Sequence, residues 1–277
     1  MKISRNEFDL FRRLIKEKCG IALDDSKTYL IENRLARLIS ETECKNFGEL
    51  YFMLKNSNQS KQLLSQVIEA VTTKETLWFR DQYPFKALTD IIFPKYLKQS
   101  ALSDIQIWSA GCSTGQEPYS IAITVQEFAK SIIDGHKFKK RVTIKGTDIS
   151  EIAIEHALIG EYDDISIQRG LSETRLNKFF YQNGKKWQVN DSIKQLIHFH
   201  NQNLMEISTR MGPFDIVFLR NVMIYFSDEL KINILKRLSN IIKKGGYLFL
   251  GTGETVQGYS ERFSFIKHEG GIFFKLL

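Results

Sequence analysis

Apolar residues recur at helical spacing through the first 75 positions, and beyond them the pattern changes to short apolar runs rich in β-branched and aromatic residues. In the first part, Ser4 and Glu7 form a capping-box pattern ahead of Phe8, Phe11, Leu14 and Ile15, with Gly20 as the stop. Residues 29–39 are amphipathic. Asn46 and Glu49 repeat the start signal before residues 50–54, and Leu63, Leu64, Val67, Ile68 and Val71 line one face of a fourth helix. The spacing predicts a small all-α domain over residues 1–75.

From about residue 85 the strand candidates are 105–110, 141–146, 197–200, 214–219 and 247–250. Helical patterns intervene over Pro118 to about Ile133, Ser150 to about Ile159 and Ser227 to about Lys244. In the last of these Ser227 reads as the N-cap, Asp228 and Glu229 as first-turn acids, Lys243 and Lys244 as last-turn cations, and Gly245 as the stop. This alternation predicts an α/β fold with a mostly parallel, doubly wound sheet. Residues 76–90 are read as a linker and the start of that domain, which then occupies 91–277. The stretch from about 162 to 195 is too long for a helix-to-strand connection. It contains a hairpin pattern over 179–189, turning at Asn183-Gly184, and reads as a small β insertion. A second hairpin, 264–268 and 272–276 around Glu269-Gly270-Gly271, adds a C-terminal antiparallel pair.

A composition of 43% hydrophobic and 26% charged residues excludes disordered and low-complexity classes. Cys19, Cys44 and Cys112 are odd in number and widely spaced, so no disulfide framework or Cys-x-x-Cys zinc site is available. His198 and His200 share a strand face without a third ligand, and no metal is expected. No apolar run approaches the ~20 residues needed to cross a bilayer, and the N-terminus lacks a signal-peptide core, so a cytoplasmic protein without membrane insertion is expected. The net charge of +7 favours an acidic partner, and the excess is spread without a basic tail.

In an open α/β sheet, ligands bind beyond the carboxyl ends of the strands, which directs attention to the first strand's exit, residues 110–118. Gly111 and Gly115 read as positions where a ligand approaches the backbone, and Pro118 suits the first turn of the next helix. The loop has neither a Gly-x-Gly-x-x-Gly fingerprint nor Gly-Lys-Ser/Thr, which weighs against dinucleotides and nucleoside triphosphates. Asp148 ends the second strand, where one carboxylate accepts both hydroxyl hydrogen bonds of a ribose diol; the alternative is that it only leads into the helix at Ser150. An adenosine cofactor without a pyrophosphate suits S-adenosylmethionine (SAM). Glu117 would repel a pyrophosphate but can pair with an ammonium or hydroxyls; its alternative role is to offset the helix dipole.

Five ordered motifs extend this reading. They are Thr72-Thr73-Lys74-Glu75-Thr76-Leu77-Trp78-Phe79-Arg80-Asp81, then residues 108–120 (Trp108 to Ser120), 146–149 (Gly146 to Ile149), Asn203-Leu204, and 214–226 (Phe214 to Phe226). Together they resemble the chemoreceptor glutamate methyltransferases of the CheR type over nearly the whole chain. The resemblance implies a Rossmann-like class I SAM-dependent methyltransferase domain behind a small all-α domain. It also implies the activity: methyl esterification of glutamate side chains on the cytoplasmic helical domain of chemoreceptors, for adaptation in chemotaxis signalling, with S-adenosylhomocysteine as product. Transferred by position, Lys74, Thr76, Arg80, Gly111, Gly115, Glu117, Asp148, Asn203, Leu204, Arg220 and Asn221 are expected at the cofactor, with Arg80 and Tyr225 beside the reactive centre. Lys74 departs from the family's usual Asn, and Gln116 replaces a commoner Glu.

Lys27, Arg34 and Arg37 lie on a helix that resembles the family's receptor-facing one. Arg34 and Arg37 are spaced i, i+3, as suits an acidic helical substrate; a solvated face is the alternative. The insertion's turn is short and lacks the glycines associated with a receptor tether, so tether-independent binding by a monomer is expected. Two rival readings are a SAM-binding adaptor of the same fold without turnover and a nucleic-acid methyltransferase. The basic pI motivates the second, but its Asp/Asn-Pro-Pro-aromatic and Pro-Cys motifs are missing, and no nucleic-acid partner is expected.

Overall fold

The computed structural model describes residues 1–42, 44–56, 60–98 and 103–277. Helix α1 (Arg5–Cys19) starts as the capping box requires: the Ser4 hydroxyl accepts from the Glu7 N–H, and the Glu7 carboxylate accepts from the Ser4 N–H at 2.8 Å. Gly20, in the left-handed region at φ 78°, ends it. Helices α2 (Thr28–Glu41), α3 (Phe47–Asn56) and α4 (Ser60–Val71) complete the N-terminal bundle. Phe8, Phe11, Ile31, Leu35, Phe47 and Val67 form its buried centre, so the helical periodicity read from the sequence marks the faces that meet.

An irregular segment leads to α5 (Tyr83–Ala87), a π-helical turn over Leu88–Ile92, and α6 (Phe93–Lys98). The alternating part follows: β1 (Ile105–Ala110), α7 (Gln116–Lys130), α8 (Gly135–Lys140), β2 (Val142–Asp148) and α9 (Glu151–Ile159). The insertion contains β3 (Glu161–Tyr162), α10 (Asp164–Gln168), α11 (Glu173–Phe179), β4 (Phe180–Asn183) and β5 (Lys186–Val189). After α12 (Asp191–Lys194) come β6 (Ile197–Asn201), β7 (Phe214–Leu219), α13 (Asp228–Ile241), β8 (Ile242–Leu250), β9 (Phe263–His268) and β10 (Gly271–Leu276).

The main sheet has the order β6-β2-β1-β7-β8-β10-β9, parallel through β8 and antiparallel in the last two strands, which is the fold of class I SAM-dependent methyltransferases. Side-chain alternation splits its core in two. Ile107, Ile216, Phe218 and Phe249 face one helical layer, while Trp108, Val217, Leu219 and Leu248 face the other. Phe218, Phe249 and Phe273 stack across three strands at centroid distances of 4.6 and 5.0 Å, which fixes the register on that face. The strand order reverses at β1, so β2 and β7 flank it and all three end on one side of the molecule.

Three sequence expectations change. The hairpin in the insertion turns at Gly184-Lys185, because Asn183 pairs with Lys186, and β3 joins it to make a three-stranded sheet. Helix α13 ends at Ile241 instead of about Lys244. Lys243 and Lys244 belong to β8, where the Lys243 ammonium meets the buried Asp215 at 2.8 Å, so that cation answers a side-chain charge, not the helix dipole. Ser227 occupies the N-cap position, but its side chain makes no capping hydrogen bond.

Candidate active site

Where β1, β2 and β7 end, a cavity of about 470 Å³ opens beneath the N-terminal bundle. The β1 exit turns at Gly111, and a Cβ there would stand 2.6 Å from Val222 Cγ2 on the β7 exit. Gly111 therefore lines the cavity by letting the two exits approach each other. Gly115, at φ 96°, caps α7 outside the cavity, and a Cβ on it would stand 2.9 Å from Ala157 Cβ on α9. Helix packing and the left-handed backbone require this glycine independently of any ligand.

Asp148 completes the β2 exit. Its two carboxylate oxygens accept one backbone N–H each, from Ser113 at 2.8 Å and from Ser150 at 2.9 Å. Each oxygen retains capacity for a second donor. Burial raises the Asp148 carboxyl above its usual range, against the lowering effect of those N–H groups and the nearby Lys74 ammonium. The Lys74 side chain turns to Glu69 on α4, and the same Glu69 oxygen accepts the Ser150 hydroxyl at 2.9 Å. Lys74 thus ties the bundle to the β2 exit, and its carbonyl accepts the Ser113 hydroxyl at 2.9 Å.

Opposite Asp148, the segment before α5 holds three non-glycine residues at positive φ: Phe79 at 48°, Asp81 at 64° and Gln82 at 50°. Such conformations cost on the order of 1–3 kcal/mol each and persist only where surroundings enforce them. Arg220, with a side chain 1% exposed, holds the middle of the segment, while the Ser120 hydroxyl accepts the Phe79 N–H at 3.1 Å. The Arg220 guanidinium donates to Glu117 at 2.9 Å, to Asp81 at 2.6 Å and to the Arg80 carbonyl at 2.9 Å. The other Glu117 oxygen accepts the Ser109 hydroxyl at 2.8 Å. Arg220 and Glu117 line the cavity, but their charges are largely spent on each other and on the loop. Arg80 lines this cavity and also the neighbouring groove formed by residues 77–83, and among the described residues its guanidinium makes no hydrogen bond or ion pair.

Thr76, Asn203, Leu204, Asn221 and Tyr225 also line this cavity. The Asn203 amide is committed to protein: Oδ1 accepts the Met205 N–H at 3.0 Å, and Nδ2 donates to the Lys18 carbonyl at the end of α1 at 2.7 Å. Asn221, at φ 59°, leaves a buried Oδ1 without a partner, as Arg220 does its Nε. The α1–α2 connection forms one wall of the site. Ile21 bridges to Phe226, and the Ala22 N–H donates to the Tyr225 carbonyl at 2.8 Å.

The basic face expected on α2 is not presented as one surface. Arg34 turns inward and donates to the carbonyls of Val71 and Thr72, capping α4 at the cavity edge. Arg37, 86% exposed, pairs with Glu41 one turn along. Long side chains at i, i+3 share a starting point but not a destination. Lys27 lines the cavity mouth, and among the described residues its ammonium has no carboxylate partner. Asp81 was not anticipated as a site residue, although it ends the motif at 72–81. Glu254, which accepts the Asn221 N–H at 2.7 Å, lies in a Gly/Thr-rich loop that carries no motif.

The donor set suits a ligand with a diol, an ammonium and a carboxylate: Asp148 accepts from hydroxyls, Asn221 Oδ1 accepts from an ammonium, and an arginine remains for an anion. Among the described residues no helix is long and apolar enough to cross a membrane. Two family models match the chain: "CheR methyltransferase, all-alpha domain" over residues 6–72 and "CheR methyltransferase, SAM binding domain" over residues 74–272. The chain is 38% identical over 276 residues to "Chemotaxis protein methyltransferase Cher2" of Pseudomonas putida, covering 99% of each protein. It is 39% identical over 275 residues to the "Chemotaxis protein methyltransferase" of Vibrio parahaemolyticus, covering 99% of this chain and 98% of that one. With the protein of the same name from Borreliella burgdorferi it shares 33% identity over 265 residues, covering 93% and 91%.

Proposed function

This chain belongs to the CheR methyltransferase family, and on that premise we propose that it esterifies glutamate side chains on the cytoplasmic helical domain of chemoreceptors. Its cofactor is SAM, which when bound supplies an activated methyl group on a sulfonium. The observation that carries the reading is Arg80: its carbonyl is clamped by Arg220, it lines the cavity that holds Asp148, and among the described residues its guanidinium has no partner.

The chain's own residues have a limited task. A glutamate side chain has an unperturbed pKa of about 4.3, so at neutral pH the acceptor is already a nucleophile and needs no general base. Asp148 takes the ribose hydroxyls through the free capacity of its two oxygens. The buried Asn221 Oδ1 takes the ammonium. Arg80 orients the acceptor carboxylate by paired hydrogen bonds, and the Tyr225 hydroxyl donates another. The wall made by residues 20–27 keeps water from the carboxylate, so catalysis comes from alignment and desolvation. Lys27, at the mouth, attracts the acidic helix.

The test uses labelled SAM with receptor cytoplasmic fragments. Label should appear on the fragment and leave in mild alkali, as a carboxyl ester does. Arg80→Ala should cut transfer by orders of magnitude, to a residue readable only by single-turnover labelling, while the fold is retained. Alkali-stable label, or label carried by RNA instead of the receptor, refutes the assignment.

A further inference from the structure

The β7 exit carries both Asn221 and Tyr225 to the cavity, and it turns at Asn221 through the left-handed region, which asparagine tolerates but which leaves the backbone N–H groups of the turn to be met from outside. They are met from the neighbouring strand's exit. Glu254 Oε2 accepts the N–H groups of Asn221 and Gly251, each at 2.7 Å, and its Oε1 accepts the Ile224 N–H at 3.1 Å. A Cβ on Gly251 would stand 2.7 Å from Asn221 Nδ2 and 2.8 Å from Glu254 Oε2, so the glycine makes room for this meeting. Glu254 does not line the site cavity. It lies behind it, in the groove beside the β9–β10 hairpin.

We propose that Glu254 is a positioning residue for methyl transfer: its carboxylate clamps the β7 exit at Asn221 and Ile224 and so fixes where the Asn221 and Tyr225 side chains stand. The proposal rests on the reading of the cavity as the methyl-transfer site. Only an ionised carboxylate matches three N–H donors with acceptors alone. Gln at this position turns an NH₂ toward at least one of those N–H groups, and Asp is a methylene too short to reach both ends of the segment. Hydrogen bonds to an ionised acceptor are short and strong, in keeping with the two 2.7 Å distances.

The experiment compares Glu254→Gln with the unaltered full chain in three readouts: thermal melting, SAM affinity by calorimetry, and kcat on a receptor fragment. Loss of one charge-assisted bond behind Asn221 should weaken SAM binding about tenfold. Misplacement of the pair by about an ångström should lower kcat by about 100-fold. An Ile234→Val control in α13, bringing core destabilisation without touching the clamp, should leave kcat unchanged. Glu254→Asp, a methylene too short to hold both Asn221 and Ile224, should reproduce the Glu254→Gln signature, and it serves if Glu254→Gln fails to fold. SAM affinity and kcat both within about twofold of the unaltered chain, in whichever Glu254 variant folds, overturn the clamp. If the unaltered chain binds SAM but methylates no receptor fragment, the function proposed above fails, and the calorimetric comparison still decides the clamp.

Discussion

Replacing Arg220 by Lys tests whether the strained segment before α5 is what aims Arg80. Arg220 makes three hydrogen bonds, to Glu117, Asp81 and the Arg80 carbonyl, from a guanidinium fork that an ammonium cannot reproduce. A lysine can satisfy one carboxylate and leaves the remaining partners short. Hydrogen bonds to charged groups are worth ~1.5–3 kcal/mol each. Asp81 is 31% exposed, so water recovers part of its loss, whereas Glu117 is far more enclosed. The net cost is about 3 kcal/mol, near the lower end for breaking a buried pair, and corresponds to a fall in Tm of roughly 6–12 °C. Freed from the clamp, Asp81 can leave positive φ, and Arg80 moves with it. We expect kcat to fall about 100-fold, with a smaller change in SAM affinity. A double-mutant cycle with Arg80→Ala, read by single-turnover labelling, supplies the decisive comparison. If Arg220 works through Arg80, the lysine substitution removes little more from an enzyme already lacking Arg80. Additive losses, or an Arg220→Lys enzyme with unaltered kcat, refute the reasoning.

Other outcomes follow from the same geometry. Burial raises the Asp148 carboxyl, so its proton returns at a higher pH than for an ordinary aspartate. Only the ionised form accepts both hydroxyls, so SAM affinity should weaken as pH falls through that raised value, about tenfold per unit below it. Calorimetry across pH should show the slope in the unaltered chain and none with Asp148→Asn; a flat profile in both refutes the role. Arg34→Ala should lower Tm, since it strips the cap from α4 at a cost of ~1–3 kcal/mol, whereas Lys27→Ala should leave Tm unchanged and reduce the salt dependence of receptor-fragment binding. Equal effects of the two on binding alone would restore a shared basic face. Gly115→Ala should destabilise by ~1–3 kcal/mol in denaturant titration, because its Cβ would meet Ala157 at 2.9 Å in a left-handed backbone.

The parts of this protein that depend on periodicity were open to reading from sequence. The capping box at Ser4 and Glu7, the limits of β1 and β7, and the C-terminal hairpin follow from residue spacing that the fold keeps. Gly111, Asp148, Asn221 and Tyr225 come together because they lie at strand exits, and a sheet that reverses at β1 brings those exits to one place. What escaped depends on where long or charged side chains go. Lys243 and Lys244 imitate a helix C-terminus, but whether a lysine faces a dipole or a buried Asp215 is decided in three dimensions. Arg34 looked like part of a surface stripe and proved to be a cap for a helix whose end lies far along the chain. Glu254 binds only backbone N–H groups, and a partner without side-chain identity leaves no mark in a motif.

The bridge from Ile21 to Phe226 bears on how this enzyme can be re-engineered. On the function proposed above, the bundle is the part to exchange between relatives when a different receptor preference is wanted. Its α1–α2 connection, however, also walls the cavity at the strand exits, and the end of α1 is fastened by Asn203. A chimera joined after α4 would import a foreign wall along with the foreign bundle. Retuning receptor preference on that reading calls for rematching residues 20–27 to the strand exits they cover.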